Sequence, residues 1–598
     1  MNKNAMINRP VLSISFFLIP IFCLAQIHFD NQAEEMGIRS LKTEFSIGNG
    51  VSFVDFNQDG WDDLTIGTPK GKFIDFYENQ GGRFKRVFPL VTHRDEAKQI
   101  SWVDFDNDGD LDLFVASYDA PNRLYENRGA LQFEDITEKA GLPMNDEYTY
   151  GAIWGDYDRD GWLDLYFGSH KDITPDKYNK LFRNQGDGTF VDVSTPTNTS
   201  DLNKVPFCSG FIDINNDMWL DIYTANDKLT YNTLLFNDGR GTFSPVGDLT
   251  NADLRMNAMC VNMGDFNNDG WQDIYVTNTP VGNKLLRNDG IRADFDLPSF
   301  SEVAEPAGVA YYGHSWASNF LDADNDGDLD LYVSGTMKIA SMSNRTSIFY
   351  ENLGDGTFET PEVGMAGDSA RSFVNAIGDA NQDGYPDIMV QNNPPNFHHC
   401  WINRGGSHKW IKLQLEGKKS NRDAVGARVE VYAESLYQMK YRNCGNGFMG
   451  QNSKTLTFGC RAFEQVDSVV ITWPTGHIDR LYNLKTNQQH FIQEGGSSNG
   501  LIRVAPEVQL TISHLRQILQ NAPELKLYPV PASEQIWIEP FPSPIDEIWI
   551  IGQQGQIFSP QTIKKNNRLV IRELPTGTYW VLIRQQSGNY QRGKFIKQ

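Results

Sequence analysis

A chain of 598 residues is longer than one hydrophobic core organises, so it divides into several domains. Its formal net charge of −23 excludes a nucleic-acid partner, because an acidic surface and phosphates repel. The 13 Trp, 23 Tyr and 36 Phe, with only 22% charged residues, exclude a disordered chain.

At the start of the chain, Lys3 and Arg9 precede an apolar run from Val11 to Leu24, and Ala25 offers a cleavage position. Residues 1–25 therefore read as a secretory signal peptide, too short and wrongly flanked for a membrane span. Cys23 follows Ile21 and Phe22, where a lipidation signal needs small residues, so export without a lipid anchor is expected. No later stretch has the apolar length of a span, and no transmembrane segment is expected after signal removal. The mature chain keeps Cys208, Cys260, Cys400, Cys444 and Cys460, too few for a disulfide-built scaffold. Cys444 and Cys460 fall in one small domain and are the candidate pair for a bridge. The others stand in strand-like contexts and read as small buried apolar residues.

From residue 55 a nine-residue pattern recurs: Asp, any, Asp or Asn, any, Asp, Gly, any, any, Asp. Its seven copies start 49, 52, 57, 52, 57 and 57 residues apart, a period that fits one propeller blade. Positions 1, 3, 5 and 9 are Asp55, Asn57, Asp59 and Asp63 in the first copy and Asp104, Asp106, Asp108 and Asp112 in the second. They are Asp156, Asp158, Asp160 and Asp164 in the third, and Asp213, Asn215, Asp217 and Asp221 in the fourth. The fifth has Asp265, Asn267, Asp269 and Asp273, the sixth Asp322, Asp324, Asp326 and Asp330, and the seventh Asp379, Asn381, Asp383 and Asp387.

Alternate side chains of a tight turn converge on one point, a glycine at position 6 permits the turn, and position 9 returns a carboxylate. This is the hard oxygen cage that Ca²⁺ takes, whereas Mg²⁺ demands a smaller octahedral shell. Without a cation the crowded carboxylates raise one another's pKa. Up to seven Ca²⁺ are expected, the fourth site departing from the pattern because Met218 replaces the glycine. Filling all seven would cancel more than half of the net charge, so the acidity reads as metal sites. An EF-hand would need Glu at position 12, where this chain has Ile66, Val115, Phe167, Thr224, Val276, Val333 and Val390. The flanking short apolar runs are strands, which makes the metal a staple rather than a switch.

Each copy continues into a third strand ending at Asn79, Asn127, Asn184, Asn237, Asn288, Asn352 or Asn403. Several then pass through a glycine turn into a fourth strand, as at Phe190, Phe243 and Phe358. Four short strands per repeat compose a blade. The seventh repeat stops after its third strand, and residues 27–36 share with two outer-strand regions an eight-residue offset from Phe to Gly: Phe29 to Gly37, Phe133 to Gly141, Phe300 to Gly308. The chain's start is therefore expected to supply the missing outer strand and close the ring. The repeats resemble FG-GAP and VCBS-type propellers, the family that includes the calcium-binding blades of integrin α-chains. The expected fold is all-β: a seven-bladed calcium-binding β-propeller over residues 26–405, followed by two small β-sandwich-like domains.

Residues 406–494 change to alternating strands with Gly-rich turns. The phrases at Gly426–Val431, Gly447–Ser453, Leu456–Gly459 and Ile471–Gly476 resemble the ASPIC/UnbV domain, which follows such repeats in proteins of the cartilage acidic protein family. Gly450 stands where that family more often has Ser, and Cys460 where it has Gly. Arg442, Asn443, Gln451, Asn452 and His477 could line a groove there, although turn capping and solvation is the plainer reading; Trp473-Pro474 reads as packing. Residues 495–523 read as a linker with a short helix in 510–522. Residues 524–598 resemble the type A C-terminal sorting domain of the Bacteroidota type IX secretion system, at Tyr528–Ser533, Leu574–Val581 and Gly593–Lys597, with Val530 where Asn is usual. That resemblance implies export by the secretion machinery to the medium or to the outer-membrane surface of a Gram-negative bacterium.

No GxSxG, HExxH or phosphate-cradling glycine loop stands out, and most conspicuous Asp residues belong to the loops. His93, His170, His314, His398 and His399 fall in blade segments, where an ordinary packing role is the plainer reading. A calcium-stabilised binding or adhesion module for an extracellular glycan or protein is expected. Insertions at 169–180, 195–205 and 336–347 are the candidate contacts. A structural surface protein without a ligand, or a polysaccharide lyase, are the alternatives.

Overall fold

The computed structural model describes residues 27–39, 47–89, 91–171, 178–292, 297–337, 346–366, 368–445 and 447–496, and, beyond them, the strands between 503 and 597. The expected signal peptide, Cys23, the helix expected in 510–522 and the centres of two insertions, 172–177 and 338–345, lie outside the described residues. The chain forms two compact units, Met1–Ala505 and Pro506–Gln598.

In the first unit, short runs of β-branched and aromatic residues broken by Gly-rich turns form repeated four-stranded antiparallel sheets. Six such sheets, and one to which Gly450–Gln451 adds a fifth strand in parallel, succeed one another among the described residues up to Asn403. Sheet 2 is typical, with Ala97–Val103, Asp112–Ser117, Arg123–Asn127 and Phe133–Asp135 side by side in chain order. Its first two strands are buried throughout, which is why LDLFVAS reads as a continuous apolar run rather than an alternating one.

The other sheets open with Val51–Phe53 (sheet 1), Ala152–Gly155 (3), Pro206–Ile212 (4), Val261–Gly264 (5), Ser315–Leu321 (6) and Arg371–Gly378 (7). These first strands touch in succession, and the seventh touches the first. Sheet 7 takes its fourth strand, Phe29–Asn31, from the start of the chain, pairing with His399–Asn403. Phe29 lies opposite Asn403, in the register that sets Phe84 opposite Asn79 and Phe190 opposite Asn184. Faces bury against neighbouring sheets through large rings: Trp102 of sheet 2 stacks on Phe56 of sheet 1 at 5.0 Å, and Trp154 of sheet 3 meets Phe114 of sheet 2 edge-on at 5.6 Å.

Residues 410–504 form two further four-stranded sheets. One orders Leu456–Gly459, Trp410–Glu416, Gln488–Gln493 and Arg503–Val504; the other orders Leu436–Tyr441, Arg428–Ala433, Gln465–Thr472 and Ile478–Lys485. They share a core that includes Ile411, Leu413, Val429, Val431, Phe458 and Trp473. Trp473 is fully buried, its indole donating to Asp479 at 2.8 Å.

All five cysteines described are free and buried, which corrects the Cys444–Cys460 pairing. Cys444 packs with sheets 2 and 3 beside Trp154, whereas Cys460 belongs to the core of the 410–504 sheets.

In the second unit, Leu527–Tyr528, Gln535–Ile538 and Arg568–Val570 form one sheet. Ile557–Phe558, Ile545–Gly552, Gly577–Gln585 and Tyr590–Lys597 form another, with Ile550, Tyr579, Val581 and Ile583 buried.

Candidate metal centres

Each of the seven Asp patterns joins the first strand of its sheet to the second, so all seven turns lie at one end of their sheets. Within a turn the carboxylates are organised by backbone N–H groups. The position-1 Asp accepts from position 6 at 2.7–3.0 Å in every loop. The position-5 Asp accepts from position 7 at 2.8–3.0 Å. One oxygen of the position-9 Asp accepts from position 2, and the other from the Asn that ends the third strand, at 2.7–2.9 Å.

Such ordering costs electrostatic energy. Burial first, then repulsion from Asp59, pushes Asp55 up to about 7. Burial likewise raises Asp104, Asp156 and Asp265 to about 7, Asp213 to about 6 and Asp112 to about 9. Asp63, Asp164, Asp221, Asp273, Asp322, Asp330 and Asp387 are all held well above the usual carboxylate range by the same desolvation.

The donor set fits a hard divalent cation. Carboxylate oxygens come within 4.8 Å of one another in three groups: Asp104, Asp106 and Asp108; Asp156, Asp158 and Asp164; Asp322, Asp324 and Asp326. These are the three loops with Asp rather than Asn at position 3. Buried oxygens without a hydrogen-bond partner occur at Asp104 Oδ1, Asp158 Oδ1 and Asn267 Oδ1, all at positions 1 or 3. In the Asn-type loops the Asn215, Asn267 and Asn381 amides donate to the position-5 carboxylate at 2.8 Å. Half a turn of each amide would present its oxygen to the cage instead.

Two features of the loops were missed in the sequence reading. Position 4 is left-handed in all seven loops, and six of them carry Gln or Asn there. Those amides donate to the position-6 carbonyl of the next loop at 2.5–3.1 Å: Gln58 to Gly109, Asn107 to Gly161, Asn216 to Gly270, Asn268 to Gly327, Asn325 to Gly384 and Gln382 back to Gly60. The exception, Arg159, lies over the Trp219 ring at 4.9 Å, and the loop after it is the one in which Met218 adopts φ 68° in place of glycine.

The second feature is the third-strand Asn, whose amide donates to the position-2 carbonyl of the preceding sheet at 2.7–3.0 Å in six sheets. Asn79 of sheet 1 thereby reaches Ala380 of sheet 7. Its recurrence in every repeat was the available clue. Asn79→Ala is expected to destabilise the protein by about 2–4 kcal/mol in denaturant unfolding, because buried carbonyls of Asp62 and Ala380 lose their donor.

The 410–504 sheets sit over this end and reach every loop. Ser453 donates to Asp62, Asp423 accepts from the Asp104 N–H, and the Tyr441 hydroxyl donates to Asp213 at 2.9 Å. The Gly459 N–H donates to Asp322, and Lys412 pairs with Asp379. In the third and fifth loops a Cβ on Gly161 would come within 2.7 Å of the Lys419 carbonyl, and one on Gly270 within 3.0 Å of the Tyr437 hydroxyl. A cavity of about 190 Å³ remains beneath, between Asp265, Asp322 and Asp379 on one side and Lys412, Lys440 and Arg442 on the other.

Residues 444–445 and 447–453 reach from these sheets into the space between the first strands. The Cys444 carbonyl accepts from Trp154, Gly445 from Gln99 and Met449 from Val51; Gly450–Gln451 pairs in parallel with Val51–Ser52. Gln451 holds both polar backbone atoms of Trp102 at 2.8 Å, and Asn452 bridges Ile377 and Asn319. Phe448 is fully buried against Tyr150, Phe207 and Trp316. Gln451 thus serves the interior, whereas Asn452 makes its bonds at the wall of that cavity, which Arg442 and Asn443 also line. Arg442 is buried, Asn443 half-buried, and His477 pairs with Asp479.

The five candidate histidines are packed: His93 beside Tyr125, His170 on Phe207 at 3.9 Å, His314 on Trp316, His398 accepting from the Asn392 N–H and His399 against Trp401.

Comparison with known proteins agrees with this layout. A model described as FG-GAP-like repeat matches residues 55–115, 104–167, 213–276 and 265–333; one described as ASPIC and UnbV matches 417–499; one described as secretion system C-terminal sorting domain matches 526–598. The chain is 24% identical over 475 residues to cartilage acidic protein 1 of Xenopus tropicalis, covering 72% of this chain and 61% of that protein. It is 26% identical to cartilage acidic protein 1 of Homo sapiens, covering 63% and 50%, and 29% identical over 143 residues to Homo sapiens integrin alpha-6, covering 21% and 13%. The chain thus spans 50 to 61% of the length of the cartilage acidic proteins it matches.

Among solved structures, an Agrocybe aegerita lectin that recognises non-reducing terminal N-acetylglucosamine aligns at 15% identity and TM-score 0.34, over 56% of this chain and 85% of that one. BBS1N in complex with ARL6DN aligns at 11% and 0.36, over 59% and 92%. No described helix is long and apolar enough to cross a membrane. The sorting domain marks the chain for secretion by the type IX system of Gram-negative Bacteroidota. FG-GAP-like repeats followed by an ASPIC and UnbV domain, with a C-terminal sorting domain appended, make this a secreted protein of cartilage-acidic-protein-like architecture.

Proposed function

We propose that residues 26–405 form a seven-bladed β-propeller whose loops hold Ca²⁺ through the side chains at positions 1, 3, 5 and 9, and that the ring binds an extracellular glycan or protein. The succession of first-strand contacts and the amide relay returning from Gln382 to Gly60 support the ring. Bound Ca²⁺ would neutralise the crowded carboxylates and fix the turns; the Asp and Asn side chains orient it through the N–H bonds they accept.

The reading of the ring as a binding module rests on how its two ends differ. The loop end is covered by the following domain. At the opposite end, the connections from second to third strands and between successive sheets expose Phe73, Leu229, Tyr231, Val281, Tyr312 and Phe397. Large apolar side chains gathered on one face of a rigid scaffold are what a partner surface requires. The described parts of insertions 169–180, 195–205 and 336–347 lie at this same end.

Capture from surface glycans and secreted proteins by the mature protein in calcium is expected to retain one species, and Tyr231→Ser with Tyr312→Ser to reduce retention at least tenfold at unchanged melting temperature. Empty capture by folded, calcium-loaded protein would leave a structural surface role. Shortened glycan in the eluate would establish a lyase instead.

A further inference from the structure

The cavity of about 190 Å³ between the loops and the domain that follows has two unlike walls. On the loop side every carboxylate oxygen already has a donor. Asp62 accepts from the Ser453 hydroxyl and the Asp379 N–H, and Asp265 from the Asp269 and Gly270 N–H groups, at 2.8–3.1 Å. Asp322 is held by the N–H groups of Asp326, Gly327 and Gly459, and Asp379 by those of Asp383 and Gly384 and by Lys412.

The opposite wall is short of acceptors. Arg442, only 3% exposed, donates from Nη1 to the carbonyl of its neighbour Asn443 and leaves Nη2, buried, without a hydrogen-bond partner. The carboxylate of Asp423 is not free for it, being taken by Lys454 and the Asp104 N–H. The Lys440 ammonium donates to the Thr457 carbonyl and, among the described residues, to no carboxylate. A buried charged donor without an acceptor is costlier than a neutral one. What the cavity lacks is an acceptor that carries negative charge.

Its remaining wall is apolar, with Met263, Phe320, Leu321, Leu329, Ile377 and Met439. Water would satisfy Arg442 but gain nothing from those side chains. A cavity of about 150 Å³ takes up benzene, so this one has room for a body of that size beside a charged head.

We propose that the cavity binds a small monocarboxylate with an apolar body, its head on Arg442 and Lys440 and its body against the Met263, Phe320 and Ile377 side. A carboxylate has two oxygens to share between a guanidinium and an ammonium. A multiply charged anion such as phosphate would be repelled by the aspartates opposite. The site lies away from the exposed apolar face that would meet a glycan or protein partner, so either reading can fail without the other.

The test is titration calorimetry of the calcium-loaded protein with benzoate, benzamide, acetate and phosphate at constant ionic strength. One benzoate per chain is expected, with benzamide, which lacks the charge, and acetate, which lacks the body, about tenfold or more weaker, and phosphate not bound. Arg442→Met is expected to bring benzoate down to the level of benzamide. The comparison of benzoate with benzamide needs no variant, so it decides the matter even if Arg442→Met fails to fold. Benzoate no tighter than benzamide would overturn the proposal, since the apolar wall alone would then attract the ligand. Phosphate binding without benzoate, or no binding at all, would overturn it too, the first leaving a site for inorganic anions and the second a water-filled gap.

Discussion

Stripping calcium is expected to reverse the slope of this protein's stability against pH. In the metal-free protein Asp55, Asp104, Asp156 and Asp265 sit at about 7, far above their unfolded value near 3.9, so the folded state keeps protons that the unfolded state has lost. Their favourable contribution is complete below about pH 4 and disappears as pH rises through 7. Asp112, at about 9, extends the loss upward. Histidines held low by burial, such as His93 at about 4, work in the opposite direction, but only below about 6.5. Between about pH 6.5 and 8 the raised carboxylates outnumber the groups that act against them, and metal-free stability falls.

With calcium the sign changes. Binding displaces those protons, so affinity and stability rise over the same interval, and each site held at a hundredfold excess over its Kd adds about 2.7 kcal/mol. Thermal melts of stripped and calcium-loaded protein across this interval check both slopes. A metal-free melting temperature that is flat or rising with pH would mean that the carboxylates are not crowded as described. No gain from calcium would remove the metal assignment.

Phe448→Ala is expected to cost about 3–5 kcal/mol in denaturant unfolding and to loosen the whole contact between the ring and the domain that follows it. Phe448 is completely buried, and its neighbours Tyr150, Phe207 and Trp316 come from segments of three different sheets. The cavity therefore opens where nothing can collapse to fill it. Backbone amides of Val51 and Trp154, which donate into residues 444–453, should lose hydrogen-exchange protection in the variant while strands at the outer edges keep theirs. Uniform loss across the ring, or none, would contradict the role of the segment as a central plug.

The repeats were legible because their chemistry is local. Asp at positions 1, 3, 5 and 9 defines the turn within nine residues, and the Phe–Asn register of the outer strands is carried by adjacent strands. What escaped notice is what passes between repeats. The position-4 amides of Gln58 or Asn325 look like ordinary turn residues in one copy, and only the meeting of two loops gives them partners. Gln451 and Asn452 were read as surface polar groups because Gly-rich segments usually lie outside; here the glycines let a backbone pass between packed strands. The Cys444–Cys460 pairing failed for the same reason, since proximity in sequence placed them together and the plug carried Cys444 away.

The outer edge of sheet 7 has a consequence for how the protein is made. Arg404 pairs with Asp30, and His399–Asn403 with Phe29–Asn31, across 374 residues. The strand synthesised first is the last of the repeats to find its partner. A chain cut anywhere before that partner keeps two raw β edges at once, the first strand's and its own last, and neither can be mended locally.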